Sequence, residues 1–270
     1  MTNSVLAMLR LLEVKQIVCF DWSDLDPNSH SEIEERFIRH PFPVLGLGDD
    51  SYLLLQDSER FRTLVAAGIE QVPVQICTRK SLRVISPRLA LSRFTYGDLQ
   101  QFVEEHHSLA TLADPGHSAL KSEYLHLVFE FPRNPSVIAH FLTDNQIGCP
   151  YSIAQFFKWI LRRGSYLPDW GSGQYSDAVL RSQTISGFLT MPMFDLPTLE
   201  RAAFSEQMFP PNVINVQTDR RVFNIDFPLS VLRADISIED KEQFLKDMVM
   251  IREQSCRTTF FEGQVYILNL

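Results

Sequence analysis

The chain has little cysteine, little glycine and no long apolar run. Its 270 residues include 4 cysteines and 11 glycines. A membrane-spanning helix needs about 20 consecutive apolar residues, so we expect no such helix. The partly apolar N-terminus lacks the basic start and the small-residue cleavage site of a signal peptide. The cysteines stand far apart, with no CxxC pair, which argues against a zinc site and for a reduced, cytoplasmic setting. They are Cys19, Cys77, Cys149 and Cys256.

Positive charge is also scarce. Lys and Arg number 25 against 33 Asp and Glu, which gives a net charge of −8. Binding to nucleic acid depends on clustered Lys and Arg that neutralise phosphates. One basic segment, Arg79–Arg93, is better explained as a solvated connector than as a DNA-binding surface. We therefore expect no nucleic-acid partner and no membrane partner, while a protein partner or a homodimer stays open.

A phosphate-binding P-loop is missing as well. The only glycine cluster, Gly171-Ser172-Gly173, lacks the Lys-Ser/Thr that would complete a P-loop. A flexible loop is the simpler interpretation of that cluster. Any nucleotide site must therefore be built in another way.

The most informative segment is Tyr52–Cys77, which predicts a strand, a polar turn, a helix and a second strand. Apolar residues recur at helical spacing after the turn until Gly68, a typical helix stop. Alternation in Val72–Ile76 then predicts the second strand. The turn between the first strand and the helix would lie beside unpaired backbone N–H groups, where anions and phosphates bind. Its five residues are Gln56, Asp57, Ser58, Glu59 and Arg60.

Two interpretations of this turn stay open. Acidic residues in the first turn of a helix ordinarily act through capping and the helix dipole, worth about 0.3–1 kcal/mol. Capping would account for Asp57 or Glu59. Five polar residues in a row exceed what capping needs, which favours a ligand-binding role for the others.

Three segments carry a family resemblance. Gln56–Ile76 resembles the core motif of the ParB/sulfiredoxin superfamily, since Arg60-Phe61-Arg62 and Ala67-Gly68 match the end of its Gly-Glu-Arg-Arg box. FIRHP at Phe37–Pro41 and the run Met208–Leu232 resemble the free-serine kinase branch, known from archaea and from siderophore pathways. The segments follow one another in the family's order.

The chain departs from that branch at three places. The branch carries Asp-Gly-x-His-Arg at the turn, and only Arg60 falls in register here. Its Asp falls on Gln56, and its histidines fall on Ser58 and Glu59. Its upstream catalytic Glu falls on Ser29, with Glu32 nearby. The C-terminal phosphate-binding segment of the branch is replaced here by Asn212–Val216.

The resemblance implies an α+β fold of two domains. Residues 1–112 would form the ParB/sulfiredoxin-like domain, and residues 113–270 a C-terminal α+β domain that completes an interdomain cleft. The turn-rich ADPGHS at Ala113–Ser118 marks the predicted boundary. Residues 28–32, 56–60 and 212–220 would line the cleft.

It also implies a divergent small-molecule phosphotransferase that acts on a small hydroxy amino acid such as L-serine in a biosynthetic pathway. ATP or ADP with Mg²⁺ would be the cofactor. Asp57 or Glu59 would hold the metal, and His30 or Glu32 would activate the acceptor. The other predicted contacts to phosphate and substrate are Gln56, Ser58, Arg60, Ser29, Asn212, Asn215, Thr218 and Arg220.

The alternative is a non-catalytic protein on the same scaffold. Such a protein would keep the cleft as a nucleotide or metabolite sensor and regulate a partner. Ordinary explanations also exist for His30, as a solvent-exposed loop residue, and for residues 212–220, as a plain loop.

Overall fold

A computed structural model describes most of the chain. The described residues are 5–22, 36–85, 88–113, 124–131, 136–142, 151–163, 166–167, 185–205, 208–210, 213–255, 258–261 and 265–268. They form a mixture of helices and several separate sheets, which confirms the predicted α+β class. Among these residues, no helix is long and apolar enough to cross a membrane.

The described chain contains eighteen strands and six α-helices. The strands are β1 Leu9–Glu13, β2 Ile17–Val18, β3 Phe37–Ile38, β4 Phe42–Gly48, β5 Ser51–Leu54, β6 Gln71–Cys77, β7 Leu82–Ile85, β8 Arg88–Ser92, β9 Ala110–Ala113, β10 Tyr124–Glu130, β11 Val137–Leu142, β12 Tyr166–Leu167, β13 Ile185–Thr190, β14 Asn215–Thr218, β15 Arg221–Phe223, β16 Phe227–Pro228, β17 Thr258–Phe261 and β18 Val265–Leu268. The helices are α1 Ser58–Ala66, α2 Tyr96–Glu105, α3 Tyr151–Arg162, α4 Leu196–Ala203, α5 Leu229–Arg233 and α6 Ile238–Gln254.

The chain divides into two compact units. The first comprises residues 1–19, 23–83 and 216–270, and the second comprises residues 20–22 and 84–215. The predicted boundary at residues 112 and 113 falls inside the second unit. A division into domains that fold independently at that point stays a prediction.

The first unit is built on a five-stranded sheet of order β1-β6-β4-β5-β2. Strands β4 and β5 form an antiparallel hairpin. Helix α1 follows β5 and returns the chain, so that β6 pairs parallel to β4. This arrangement confirms the strand, helix and strand predicted for residues 52–77. The helix ends at Ala66, and Gly68 follows with a φ of +76°, a conformation that glycine adopts without strain. Buried Phe61 and Leu64 anchor α1 in the core of this unit.

The buried polar side chain of Gln75 joins β6 to the start of β15 in this unit. Gln75 is 1% exposed. Its Nε2 donates to the carbonyl oxygen of Arg220 at 2.7 Å, and its Oε1 accepts from the backbone N–H of Val222 at 2.9 Å. Because both ends of this buried amide are bonded, it fixes the backbone on either side of Arg221, which lies between Arg220 and Val222.

The second unit contains a six-stranded antiparallel sheet of order β12-β8-β13-β10-β11-β9. Helices α2 and α3 contribute Phe102 and Phe156 to an aromatic core against it. The ring of Phe156 meets five others edge to face, at centroid distances of 5.1–6.1 Å: Phe94, Phe102, Phe129, Phe141 and Phe157. Edge-to-face contacts are a favoured geometry for aromatic pairs.

Two segments of this unit have sequence patterns that predict helices where the structure forms strands. The pattern of SVIAHFLTDNQ, residues 136–146, predicts a helix, but its described part forms β11. Ala139 and Phe141 are buried while their neighbours are not, so the burial alternates as in a strand. The pattern of Asp98–Leu112 predicts one helix, but the helix ends at Glu105, and residues 110–112 belong to β9, which pairs with β11. Strand pairing outweighs helix propensity at both places.

Replacing Gln75 by Leu should destabilise the first unit. The substitution keeps the size of the side chain but leaves a buried carbonyl and a buried N–H without partners, each worth about 1–3 kcal/mol. We expect the free energy of unfolding in urea to fall by about 2–4 kcal/mol. Gln101→Leu on the exposed face of α2 is the control and should change it by less than about 0.5 kcal/mol. Equal losses in both variants would contradict this role of Gln75.

Replacing Phe156 by Ala should destabilise the second unit. Removing a fully buried ring from a packed core costs about 3–5 kcal/mol, because a cavity remains. Phe204 is 65% exposed, so Phe204→Ala serves as the matched control, with an expected change below about 0.5 kcal/mol. Urea unfolding followed by circular dichroism measures both. A loss below about 1 kcal/mol for Phe156→Ala would show that the aromatic core collapses around the gap.

Candidate functional site

A pocket of about 560 Å³ opens at the N-terminus of α1 in the first unit. Among the described residues, three arginines and two aspartates contribute to its wall, so the described cations outnumber the described carboxylates. Helix N-termini and excess positive charge both favour an anionic ligand. The lining residues are Arg36, Phe37, Arg39, His40, Asp57, Arg60 and Asp226.

One wall of the pocket is the segment 36–40, which lies antiparallel along residues 224–229. Strand β3 pairs with β16, with Ile38 opposite Phe227. On either side, the backbone N–H of Asp226 donates to the carbonyl oxygen of Arg39, and that of Leu229 donates to the carbonyl oxygen of Arg36. These backbone bonds fix the side chains of the segment in register along the pocket.

The far strand of this pairing is itself held by α6. Arg252 Nη1 donates to the carbonyl oxygens of Asn224 and Ile225, at 2.9 and 2.8 Å. Asn224 and Asp226 adopt left-handed backbone conformations, with φ of 55° and 46°. Asn and Asp tolerate this conformation better than most residues. The sequence pattern of Arg221–Phe227 predicts one strand, and these two turns divide it into β15 and β16.

The opposite wall is the polar turn at the start of α1. Asp57 is the N-cap residue, and its carbonyl oxygen accepts the first helical hydrogen bond from Phe61 N–H at 2.9 Å. Its φ is 63°, and its side chain makes no capping hydrogen bond. Capping therefore does not account for the Asp57 carboxylate, which lines the pocket instead.

The turn also contacts the segment that begins at Val216. Gln56 Nε2 donates to the carbonyl oxygen of Val216. Asp57 Oδ2 lies 3.8 Å from Arg221 Nη2. Two residues of the turn therefore contact the C-terminal segment within the first unit.

Arg221 supports Asp57 from behind the pocket. Its side chain is 13% exposed, and its guanidinium carbon lies 5.5 Å from the centre of the Phe223 ring. Burial lowers the pKa of this guanidinium, and the nearby Asp57 carboxylate acts in the opposite direction. The buried Nη1 has no hydrogen-bond partner within the described part of the chain.

His40 is held by its own contacts. Its Nδ1 accepts from the backbone N–H of Asn224 at 3.1 Å. Its ring meets Phe223 edge to face, with centroids 5.1 Å apart. Burial lowers the pKa of the imidazole below its ordinary value, and Arg60, Arg221 and Arg39 lower it further, against a smaller opposite effect of Asp57.

The predicted site residues have different positions. Asp57 and Arg60 line the pocket, and Arg60 also lies over the ring of Phe42 at 5.6 Å. Ser58 and Glu59 belong to the first turn of α1 but are not part of the lining, and Glu59 is exposed. Ser29, His30, Glu32 and Asn212 lie outside the described residues.

Three predicted residues near the C-terminal segment lie elsewhere. Thr218 and Arg220 line a second pocket of the first unit, of about 450 Å³, together with Gln75, Cys77 and Lys80. Asn215 lies in β14 and lines neither pocket. A cleft between two domains stays a prediction.

Sequence reasoning did not single out five residues of the described site. Arg36, Arg39 and His40 adjoin or belong to the FIRHP motif, which was noticed only as a family match. Asp226 and Arg221 lie in the C-terminal match, where Arg220 was chosen instead. The alternation of β15 was the available signal, because it separates Arg221 from the buried Val222.

The described residues offer little to a metal ion by themselves. Among the described residues, no cluster of His, Cys, Asp or Glu side chains reaches three members, the number that a protein-bound metal site would need. Mg²⁺ carried by nucleotide phosphates needs only one or two protein carboxylates. Asp57, with its side chain 43% exposed at the pocket wall, fits that smaller requirement.

Comparison with known proteins places the fold. No family model matches the chain, and no curated protein matches it either. Among solved structures, C-terminally truncated SbnI from Staphylococcus aureus matches with a TM-score of 0.68 at 17% identity, over 93% of this chain and all of that one. A free serine kinase in complex with AMP matches with a TM-score of 0.60 at 13% identity, over 86% of this chain and 95% of that one. A conserved hypothetical protein from Pyrococcus furiosus matches with a TM-score of 0.56 at 14% identity, over 83% of this chain and 97% of that one.

At such identities the likeness shows the fold alone. The chain has the fold of SbnI and of the free serine kinases, as the resemblance implied. One of those kinase structures contains AMP and another contains ADP. These structural matches do not specifically support a relation to the ParB proteins.

Proposed function

We propose that the pocket at the start of α1 binds the phosphates of a nucleotide, ATP or ADP, and that the protein is a divergent small-molecule phosphotransferase. Its acceptor would be a small hydroxy amino acid such as L-serine, in a cytoplasmic biosynthetic pathway. The observation that carries the proposal is the convergence of Arg36, Arg39 and Arg60 on one helix N-terminus. Solved kinases of the same fold supply the nucleotide part of the proposal, since they contain AMP or ADP.

The arginines suit this ligand. A guanidinium presents several N–H donors in a planar fork that matches phosphate oxygens. Arg60 comes from α1, while Arg36 and Arg39 come from the segment along β16. A phosphate group between the two walls would meet cations on both sides, and the positive end of the α1 helix dipole adds to them.

The reaction is an ordinary phosphoryl transfer. The hydroxyl oxygen of the acceptor attacks the terminal phosphorus of the nucleotide, and the bond from that phosphorus to the bridging oxygen breaks. The leaving group is ADP when ATP is the donor, and AMP when ADP is the donor. The proton of the acceptor hydroxyl passes to a base. Catalysis of this kind depends mostly on positioning and charge stabilisation. His30 and Glu32 remain the proposed bases, on the strength of the resemblance and outside the described residues.

Asp57 is the residue that would hold a magnesium ion carried by the nucleotide. Such an ion neutralises charge on the phosphates during transfer. Asp57 would contribute one carboxylate oxygen, and Arg221 keeps that carboxylate at the pocket wall. Glu59 is not part of the lining, so the proposed site rests on Asp57.

A non-catalytic sensor is the second candidate. Ser58 and Glu59 occupy the positions of the histidines of the kinase motif, and a histidine is absent from both. The arginines alone would still bind phosphates. A sensor would therefore keep nucleotide affinity without turnover, and a protein partner would receive the signal.

Replacing Arg60 by Gln should weaken nucleotide binding. The change removes a charge-assisted hydrogen bond worth about 1.5–3 kcal/mol, so the Kd for ADP should rise about tenfold or more. Arg62→Gln is the matched control on the same helix, because Arg62 does not line the pocket, and we expect a change below about twofold. Isothermal titration calorimetry gives both values. A wild-type protein that binds no nucleotide, or equal losses in both variants, would contradict the proposed pocket.

Turnover separates the enzyme from the sensor. With Mg²⁺, ADP or ATP and L-serine, the wild-type protein should form O-phosphoserine, detected by phosphorus NMR or mass spectrometry. Asp57→Asn should lower the rate by about tenfold or more, since one charge-assisted contact is lost. Thermal unfolding checks that the variant stays folded. Nucleotide binding without transfer to serine or to other hydroxy amino acids would overturn the kinase and leave the sensor.

A further inference from the structure

We propose that His40 is a further ligand-binding residue of this pocket, held as the neutral Nε2–H tautomer by the backbone of Asn224, and that its Nε2–H donates a hydrogen bond to a phosphate oxygen of the ligand. The inference rests on the proposed function for the identity of the ligand. The tautomer itself rests only on contacts within the first unit.

The tautomer follows from one hydrogen bond. The backbone N–H of Asn224 can only donate, so the His40 Nδ1 that lies 3.1 Å from it must accept and must be unprotonated. In a neutral imidazole the proton then sits on Nε2. The edge-to-face contact with Phe223 and the bond to Asn224 together fix the orientation of the ring.

The surroundings oppose a second proton. Three guanidinium groups act on the ring, those of Arg60, Arg221 and Arg39, and burial disfavours the charged form further. Asp57 is the carboxylate that acts in the opposite direction, and its effect is the smallest of those named. Protonation of Nδ1 would also break the bond to Asn224 N–H. The lowered pKa therefore agrees with the geometry, and the ring stays neutral at pH 7.

The remaining nitrogen is available to the pocket. His40 lines the pocket, and its Nε2 has no hydrogen-bond partner within the described residues. A neutral N–H donor beside three arginines adds directional recognition of a phosphate oxygen without adding charge. Because Nε2 already carries its proton, His40 is a donor in this site and does not serve as the base that activates the acceptor.

The tautomer is tested first, on the ligand-free protein. Long-range proton–nitrogen NMR of protein labelled with ¹⁵N-histidine distinguishes the two neutral tautomers from the imidazolium. His40→Asn assigns the signal. We expect a protonated Nε2 and an unprotonated Nδ1 between pH 7 and pH 8. A proton on Nδ1, or an imidazolium at pH 7, would overturn the proposal whatever the protein binds.

Ligand binding is tested with a matched pair of variants. The side-chain oxygen of Asn can replace Nδ1 as the acceptor for Asn224 N–H, but Asn has no donor at the position of Nε2. The side-chain amide of Gln reaches that position with an N–H. We therefore expect His40→Asn to raise the Kd for ADP about tenfold or more above the wild-type value. In His40→Gln the Kd should stay within about threefold of the wild-type value. The Kd for adenosine, which has no phosphate, should stay within twofold in both.

The outcomes separate this inference from the proposed function. Equal losses in His40→Asn and His40→Gln, or no loss in His40→Asn, overturn the donor role even when the wild-type protein binds ADP. A wild-type protein that binds pyrophosphate but no nucleotide overturns the proposed function, and the same variants then test His40 with pyrophosphate as the probe. Failure to bind either probe overturns both.

Discussion

The antiparallel contact between residues 36–40 and residues 224–229 is the interaction on which the candidate site depends. It joins two segments almost 190 residues apart in the chain, through the β3–β16 pairing and two flanking backbone bonds. Loop closure over such a distance costs conformational entropy, which the buried side chains of Ile38 and Phe227 offset. Without this contact, Arg36, Arg39 and His40 would have no fixed relation to the start of α1.

The same contact links the fold of the first unit to its electrostatics. Asn224 and Asp226 take left-handed conformations, so the chain between β15 and β16 turns sharply, and Arg252 of α6 bonds the carbonyl oxygens there. One of those turns presents the N–H that fixes His40, and the other presents the carboxylate that lies 3.9 Å from Arg39. The same short segment therefore holds the strand pairing in place and positions side chains of the pocket.

Much of this architecture was predictable from local patterns, and the rest depended on pairing partners far along the chain. The strand, helix and strand of residues 52–77 were predicted because their periodicity and the Gly68 stop are local signals. Strand β11 was mistaken for a helix, since its identity comes from β9 and β10 on either side. Arg220 was chosen over Arg221 because the register of that segment is set by Gln75, about 145 residues away. The local signal for Arg221 is the alternation within Arg221–Phe223, just beyond residues 212–220.

The departures from the kinase motif acquire a physical meaning in this structure. The motif's histidine positions at the start of α1 hold Ser58 and Glu59, so fewer ligand-binding groups come from that helix than the resemblance implies. The facing segment contributes Arg36, Arg39 and His40. Phosphate binding depends on where donors and cations converge in space, and the strand pairing brings the second set to the same pocket as Arg60. In the proposed site, the donors therefore come from two distant parts of the sequence and not from one motif.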